Sequence, residues 1–90
     1  MVGAVEGEFK MKQLTEIQAR TLGYIMGFIC DFGYPPTYRE IGNHYGIALQ
    51  AVTDRLAAIE RKGYIARDRS PRTISVLADP DGRAARLAWQ

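Results

Sequence analysis

The 90-residue sequence holds a single cysteine, Cys30, and a single histidine, His44. This excludes an internal disulfide and a four-ligand zinc site of the Cys/His kind, so no metal is expected and the fold must stand on packing alone. Long apolar runs are missing too. The longest mostly apolar uncharged run of the first half, residues 21–30, is about half the ~20 residues that a membrane span requires. The N-terminus carries Glu6 and Glu8 and lacks a basic-then-apolar signal pattern, which makes the cytoplasm the expected compartment. What is present is ordinary for a globular chain: 47% apolar and 24% charged residues, in a length suited to one domain with one core.

Net charge is only +2, but it is unevenly spread. Residues 1–54 carry four basic and six acidic side chains, residues 55–72 carry six basic and two acidic, and residues 73–90 carry two of each. A concentrated positive segment beside a neutral remainder suits a polyanion partner, although a solvated basic face gives the same pattern.

Residues 1–13 show no clear period and read as an N-terminal arm. Thr15 with Gln18 three positions on forms a capping box, and Ile17, Leu22, Ile25, Phe28 and Ile29 follow at helical spacing until Gly33, Pro35 and Pro36. A helix over residues 15–32 is expected. Thr37 with Glu40 repeats the capping box and opens a short helix at 38–45, closed by Gly46. Val52, Leu56 and Ile59 mark a third helix at 49–62, stopped by Lys62 and Gly63. Residues 64–67 and 73–77 are strand-like and are joined by the polar turn Asp68-Arg69-Ser70-Pro71-Arg72, which predicts a β-hairpin.

Three helices followed by a two-stranded wing, mainly α, is the order of a winged helix-turn-helix. That domain is expected over residues 14–77. Residues 78–90 form a tail with a turn at Asp79-Pro80-Asp81-Gly82 and a possible short helix over 83–90 that leaves Leu87 and Trp89 uncovered.

Residues 12–77 resemble the N-terminal DNA-binding domain of the LexA repressor family. The resemblance rests on Leu-Thr-x-x-Gln at 14–18, Gly-x-Pro-Pro-Thr-x-x-Glu-Ile at 33–41 and Arg-Lys-Gly-x-Ile at 61–65. It implies a winged helix-turn-helix that binds a palindromic operator as a dimer, mostly for repression. The family continues into a domain that dimerises and cuts its own linker with a serine-lysine pair. This sequence runs to Gln90 without an Ala-Gly dipeptide, and its two serines, Ser70 and Ser75, fall in or beside the predicted hairpin. Self-cleavage, any other enzyme activity, a cofactor and a small-molecule substrate are therefore not expected. The turn into the third helix is one residue shorter than in LexA and its reading residues differ, so a different operator is expected.

In a helix-turn-helix the first turns of the second helix of the motif enter the major groove. Here they carry Leu49, Gln50, Ala51, Thr53 and Asp54, and the resemblance places Gln50, Ala51, Thr53 and Asp54 at base-reading positions, with Val52 and Leu56 inward. Gln50 suits adenine N6 and N7, Asp54 a cytosine amine, and Ala51 or the Thr53 methyl a thymine methyl. The plainer reading is that Gln50 caps the helix and Asp54 pairs with an arginine. Backbone or wing contacts are assigned to Tyr38, Arg39, Arg55, Lys62, Arg67, Arg69, Ser70 and Arg72, with the wing tip at the phosphates or in the minor groove.

On the first helix, Gly23, Met26, Gly27 and Cys30 make a second stripe at i, i+3, i+4 and i+7. Two glycines cost about 1 kcal/mol each in a helix interior, and close approach of another backbone would offset that. This face, with Phe28, Phe32 or the Leu87-Trp89 tail, is a candidate homodimer or protein interface; the alternative is that the arm or tail folds over it. Cys30 itself reads as a small apolar filler, or as an oxidant sensor if exposed, and His44 is given no role. The leading function is a sequence-specific double-stranded-DNA-binding regulator, repressor-like and nucleoid-associated when bound. The alternative is a winged-helix adaptor that contacts RNA polymerase or another regulator.

Overall fold

The computed structural model describes residues 12–68, 72–82 and 84–87, the last stretch as backbone only. Its order is α1 (Glu16–Phe32), α2 (Tyr38–Tyr45), α3 (Leu49–Arg61), β1 (Ile65–Ala66), β2 (Ser75–Ala78) and β3 (Ala84–Leu87). The three helices and the hairpin stand where sequence places them.

Both capping boxes form. Thr15 Oγ1 accepts from the Gln18 N–H at 3.2 Å while Gln18 Oε1 accepts from the Thr15 N–H at 3.1 Å. Thr37 and Glu40 repeat the arrangement at 3.1 and 2.9 Å. Each box satisfies N–H groups that the helix itself leaves unpaired. The turn between α2 and α3 is tight: Gly46 takes a positive φ of 67°, and the Ile47 N–H donates back to Gly42 O at 3.0 Å. A Cβ at Gly42 would lie 3.0 Å from Ile47 O, so glycine is needed there for close approach of the turn.

The core is Leu22, Ile25 and Ile29 of α1, Ile41 of α2, Val52, Leu56 and Ile59 of α3, and Tyr64, Ile65, Ile74, Val76 and Ala78 from the sheet region. Ile17, expected in the inward stripe, is 56% exposed. Gln18 stands one turn before Leu22, and the inward face of α1 continues instead through buried Thr21, whose hydroxyl donates to Ile17 O at 2.9 Å.

The wing gains a third strand. β1 pairs antiparallel with β2 through Ile65 opposite Val76, and β2 pairs with β3 through Val76 opposite Leu87 and Ala78 opposite Ala84, with a register shift between them. The short helix expected over 83–90 is thus replaced, at residues 84–87, by an edge strand. Ala84-Ala85-Arg86-Leu87 favours helix locally, but β2 would otherwise leave a row of unpaired backbone groups along its second edge, and the turn at residues 79–82 returns the chain to it. Gly82 closes that turn with φ 85° and donates to Asp79 O at 2.8 Å.

Candidate nucleic-acid interface

The first turns of α3 face outward. Gln50 and Asp54 are exposed, Ala51 and Thr53 are half-buried, and Val52 and Leu56 are fully buried. Leu49 is 52% exposed beside them. The structure therefore brings the four proposed reading residues onto one outward face. No side chain caps α3, because its N-cap is Ala48, and Gln50 does not take that role. Its Nε2 donates instead to Asp54 Oδ1 at 2.9 Å, and Thr53 Oγ1 donates to Leu49 O at 3.1 Å.

Most of the flanking cations are engaged inside the molecule. Arg55 Nη1 donates to Thr21 Oγ1 at 3.2 Å, and its guanidinium lies 5.3 Å from the centre of the Tyr45 ring. Lys62 Nζ donates to Gln13 O at 3.0 Å and to Gln18 Oε1 at 2.8 Å, which ties the chain before α1 to the end of α3. The Tyr64 hydroxyl fastens the same segment by donating to Lys12 O at 2.6 Å. Arg67 reaches Glu60 and the Tyr38 hydroxyl, and Arg72 reaches Glu40 and Pro35 O. Arg39 alone of the assigned cations that are described is exposed without a hydrogen bond or ion pair among the described residues. Arg69, Ser70 and Trp89 lie outside the described residues, as does nearly all of the N-terminal arm.

These contacts shift the charges they join. The Glu40 carboxyl is held below its ordinary range, first by the hydrogen bond from Arg72 and then by the Thr37 N–H, against a smaller opposing effect of burial. Arg72 is raised in turn by Glu40. For Arg67, burial works against the charge, but hydrogen bonds to Glu60 and Tyr38 outweigh it and the net direction is up.

Along α1, Gly23 and Gly27 are exposed, with none of the described residues within 4 Å of where a Cβ would stand at either, and Met26 is half-buried against the core. Cys30 is exposed, so it does not fill the core. Phe28 and Phe32, named with this face, belong to a row of aromatic rings on an adjoining face that also takes in Tyr24 and His44, which the sequence did not single out. Phe32, Phe28, Tyr24 and His44 follow one another at ring-centre distances of 4.6, 6.1 and 4.0 Å. The signal was the spacing of Tyr24, Phe28 and Phe32 at i, i+4 and i+8. Among the described residues no group of three or more His, Cys, Asp or Glu side chains could hold a metal, and no helix is long and apolar enough to cross a membrane.

A capped helix, a tight glycine turn, an outward-facing polar helix start and a following antiparallel hairpin define a winged helix-turn-helix. The family profile described as LexA DNA binding domain matches residues 11–73. The chain belongs to that family. It is 46% identical over 76 residues to the LexA repressor of Sorangium cellulosum, covering 83% of this chain and 33% of that protein. It is 46% identical over 68 residues to the LexA repressor of Leptospira biflexa, covering 74% and 34%. With LexA repressor 1 of Geobacter sulfurreducens it shares 42% identity over 73 residues, covering 79% and 36%. The chain thus spans about a third of the length of the curated relatives it matches.

Proposed function

We infer that this protein is a sequence-specific double-stranded-DNA-binding regulator that represses by occupying a promoter, and that it acts by binding and not by catalysis. The observation that carries this reading is the outward face of α3, where Gln50, Ala51, Thr53 and Asp54 lie over buried Val52 and Leu56 in a chain of the LexA DNA-binding family. α3 enters the major groove, with Gln50 at an adenine edge and Ala51 or Thr53 at thymine methyls. Arg39, at the start of α2, faces a phosphate, and the wing with Arg69 and Ser70 follows the backbone or the minor groove. Such a protein works in the cytoplasm, associated with the nucleoid when bound.

One recognition helix reads too few base pairs for genome-scale specificity, which supports a homodimer on a two-fold operator. Among the described residues nothing lies over Gly23 and Gly27, which supports α1 as the face on which a second copy would approach. Gly27→Arg should then shift the protein toward monomer in analytical ultracentrifugation, and an unchanged dimer would remove α1 from the interface.

The function is tested by selecting bound sequences from a random duplex pool near physiological salt, with a repeat on Gln50→Ala. A two-fold symmetric motif that relaxes at one position per half-site in the variant is expected. Binding indifferent to sequence would reject the reading.

A further inference from the structure

Arg67 and Arg72 flank the connection between β1 and β2, where a winged helix commonly presents cations to phosphate. Their geometry points elsewhere. Arg67 donates through Nε and Nη2 to Glu60 Oε1 at 3.0 and 2.8 Å, and through Nη1 to the Tyr38 hydroxyl at 3.0 Å. Its side chain is only 18% exposed. Arg72 grips the Glu40 carboxylate with both ends of its fork, at 2.9 and 3.0 Å, and also donates to Pro35 O at 2.8 Å. Its guanidinium lies 4.4 Å from the centre of the Tyr34 ring. Such a bidentate, stacked arrangement matches an arginine and not a lysine, and each of the two guanidiniums commits three hydrogen bonds inside the protein.

The partners converge on one place. Tyr38 and Glu40 are both in the first turn of α2, Pro35 leads into it, and Glu60 is in the last turn of α3. One carboxylate does two jobs: Glu40 Oε1 accepts from the Thr37 N–H at the helix cap and from Arg72. Between the two arginines, Asp68 and Thr73 join the two arms of the hairpin by a pair of hydrogen bonds. The hairpin base is thereby fastened from both sides to the helix pair that presents α3.

We propose that Arg67 and Arg72 are positioning residues, a two-point clamp that sets the wing against the helix-turn-helix, and that neither is a phosphate contact. The proposal rests on the DNA-binding reading above. With the clamp in place, wing and recognition helix meet the duplex as one preorganised surface, and the phosphate-facing cation at α2 is Arg39.

The test compares affinity against salt for a duplex carrying the selected site, using the full chain and the variants Arg72→Lys, Arg72→Gln, Glu40→Gln and Arg39→Gln, each checked for folding by circular dichroism. A lost phosphate contact flattens the slope of log affinity against log salt by about 0.9 per copy. A clamp residue acts without touching the ligand, so its loss weakens binding roughly two- to thirty-fold and leaves the slope unchanged. Arg72→Lys separates the two, because lysine keeps the charge but not the fork: the clamp requires it to weaken binding much as Arg72→Gln does. Glu40→Gln should also weaken binding at constant slope, whereas a phosphate-binding Arg72 released from its carboxylate would bind more tightly and steepen the slope. Arg39→Gln should flatten the slope. If Arg72→Gln loses its fold, Arg72→Lys and Glu40→Gln decide. A near-normal Arg72→Lys with a flattened slope for Arg72→Gln overturns the clamp and leaves the DNA-binding reading intact. Absence of salt-dependent duplex binding by the unaltered chain overturns that reading itself.

Discussion

Gln50 and Asp54, one turn apart on α3, are joined by a hydrogen bond of 2.9 Å in which the glutamine amide donates. The bond uses one of the two amide N–H groups and leaves the other, with Oε1, as a donor and acceptor side by side. That is the pair an adenine edge takes. Asp54 on this geometry orients Gln50 and does not need a base of its own. Gln50→Ala should cost about 1–3 kcal/mol at one base position per half-site. Asp54→Ala should relax the same position by a smaller amount. The check is a selection experiment on both variants: loss of preference for a cytosine at a different position after Asp54→Ala would show that Asp54 reads a base directly.

Thr37 holds the start of α2 and also shares the carboxylate that Arg72 grips, since both of its capping-box bonds run to Glu40. Thr37→Ala removes the hydroxyl acceptor and should cost about 1 kcal/mol. For a domain of this size that corresponds to a fall in Tm of about 4–8 °C. Thermal unfolding followed by circular dichroism measures it. Thr37→Ser retains the acceptor and should stay close to the unaltered protein.

How much of this was legible in the sequence depends on distance along the chain. Both capping boxes are local patterns, and they fix the starts of α1 and α2 correctly. The glycine stops at Gly33 and Gly46 are equally local, with φ of 82° and 67°. The placement of Ile17 failed because hydrophobicity alone ranked it above Gln18, whereas Gln18 both completes the cap and accepts from Lys62, 44 residues away. β3 was hidden for a related reason: its residues favour helix, and the edge of β2 that recruits them belongs to another segment. The basic segment was visible as a count of charges, but not the partners of those charges. Arg67 meets Tyr38 across 29 residues and Arg72 meets Glu40 across 32, so sequence shows two cations where the fold makes two ion-paired anchors.

Glycines that look alike in sequence should respond in opposite ways to alanine. At Gly42 a Cβ would sit 3.0 Å from Ile47 O and 3.5 Å from Val52 Cγ2, against the turn that sets α3. Alanine there should destabilise by about 1–3 kcal/mol through overpacking, which outweighs its helix propensity. At Gly27 none of the described residues would lie within 4 Å of a Cβ, so alanine should stabilise the isolated fold by up to about 1 kcal/mol. Urea unfolding at low protein concentration compares them. A Gly27→Ala whose gain at low concentration turns into a deficit as concentration rises would point to a contact between copies at α1, and equal effects at the two sites would contradict the packing described for the turn.

The Arg72–Glu40 contact also predicts a direction in acid. Glu40 is held below its ordinary pKa, first by the Arg72 hydrogen bond and then by the Thr37 N–H. A carboxyl lowered by folding contributes stability that is fully present above its unfolded value and is lost as pH falls through the folded one. The unfolded chain begins to take up the proton near pH 4.5, before the folded chain does, so the contribution declines from there downward. The side chain is 38% exposed, and solvent screening keeps the effect small. The comparison is therefore between the unaltered protein and Glu40→Gln, by urea unfolding at about pH 7, about pH 5 and about pH 3.5. The unaltered protein should be the more stable at the upper two values, and its advantage should narrow at the lowest. An advantage that stayed constant across the series would mean that the charge on Glu40 does not hold Arg72, and that the capping bond to Thr37 alone accounts for the role of this residue.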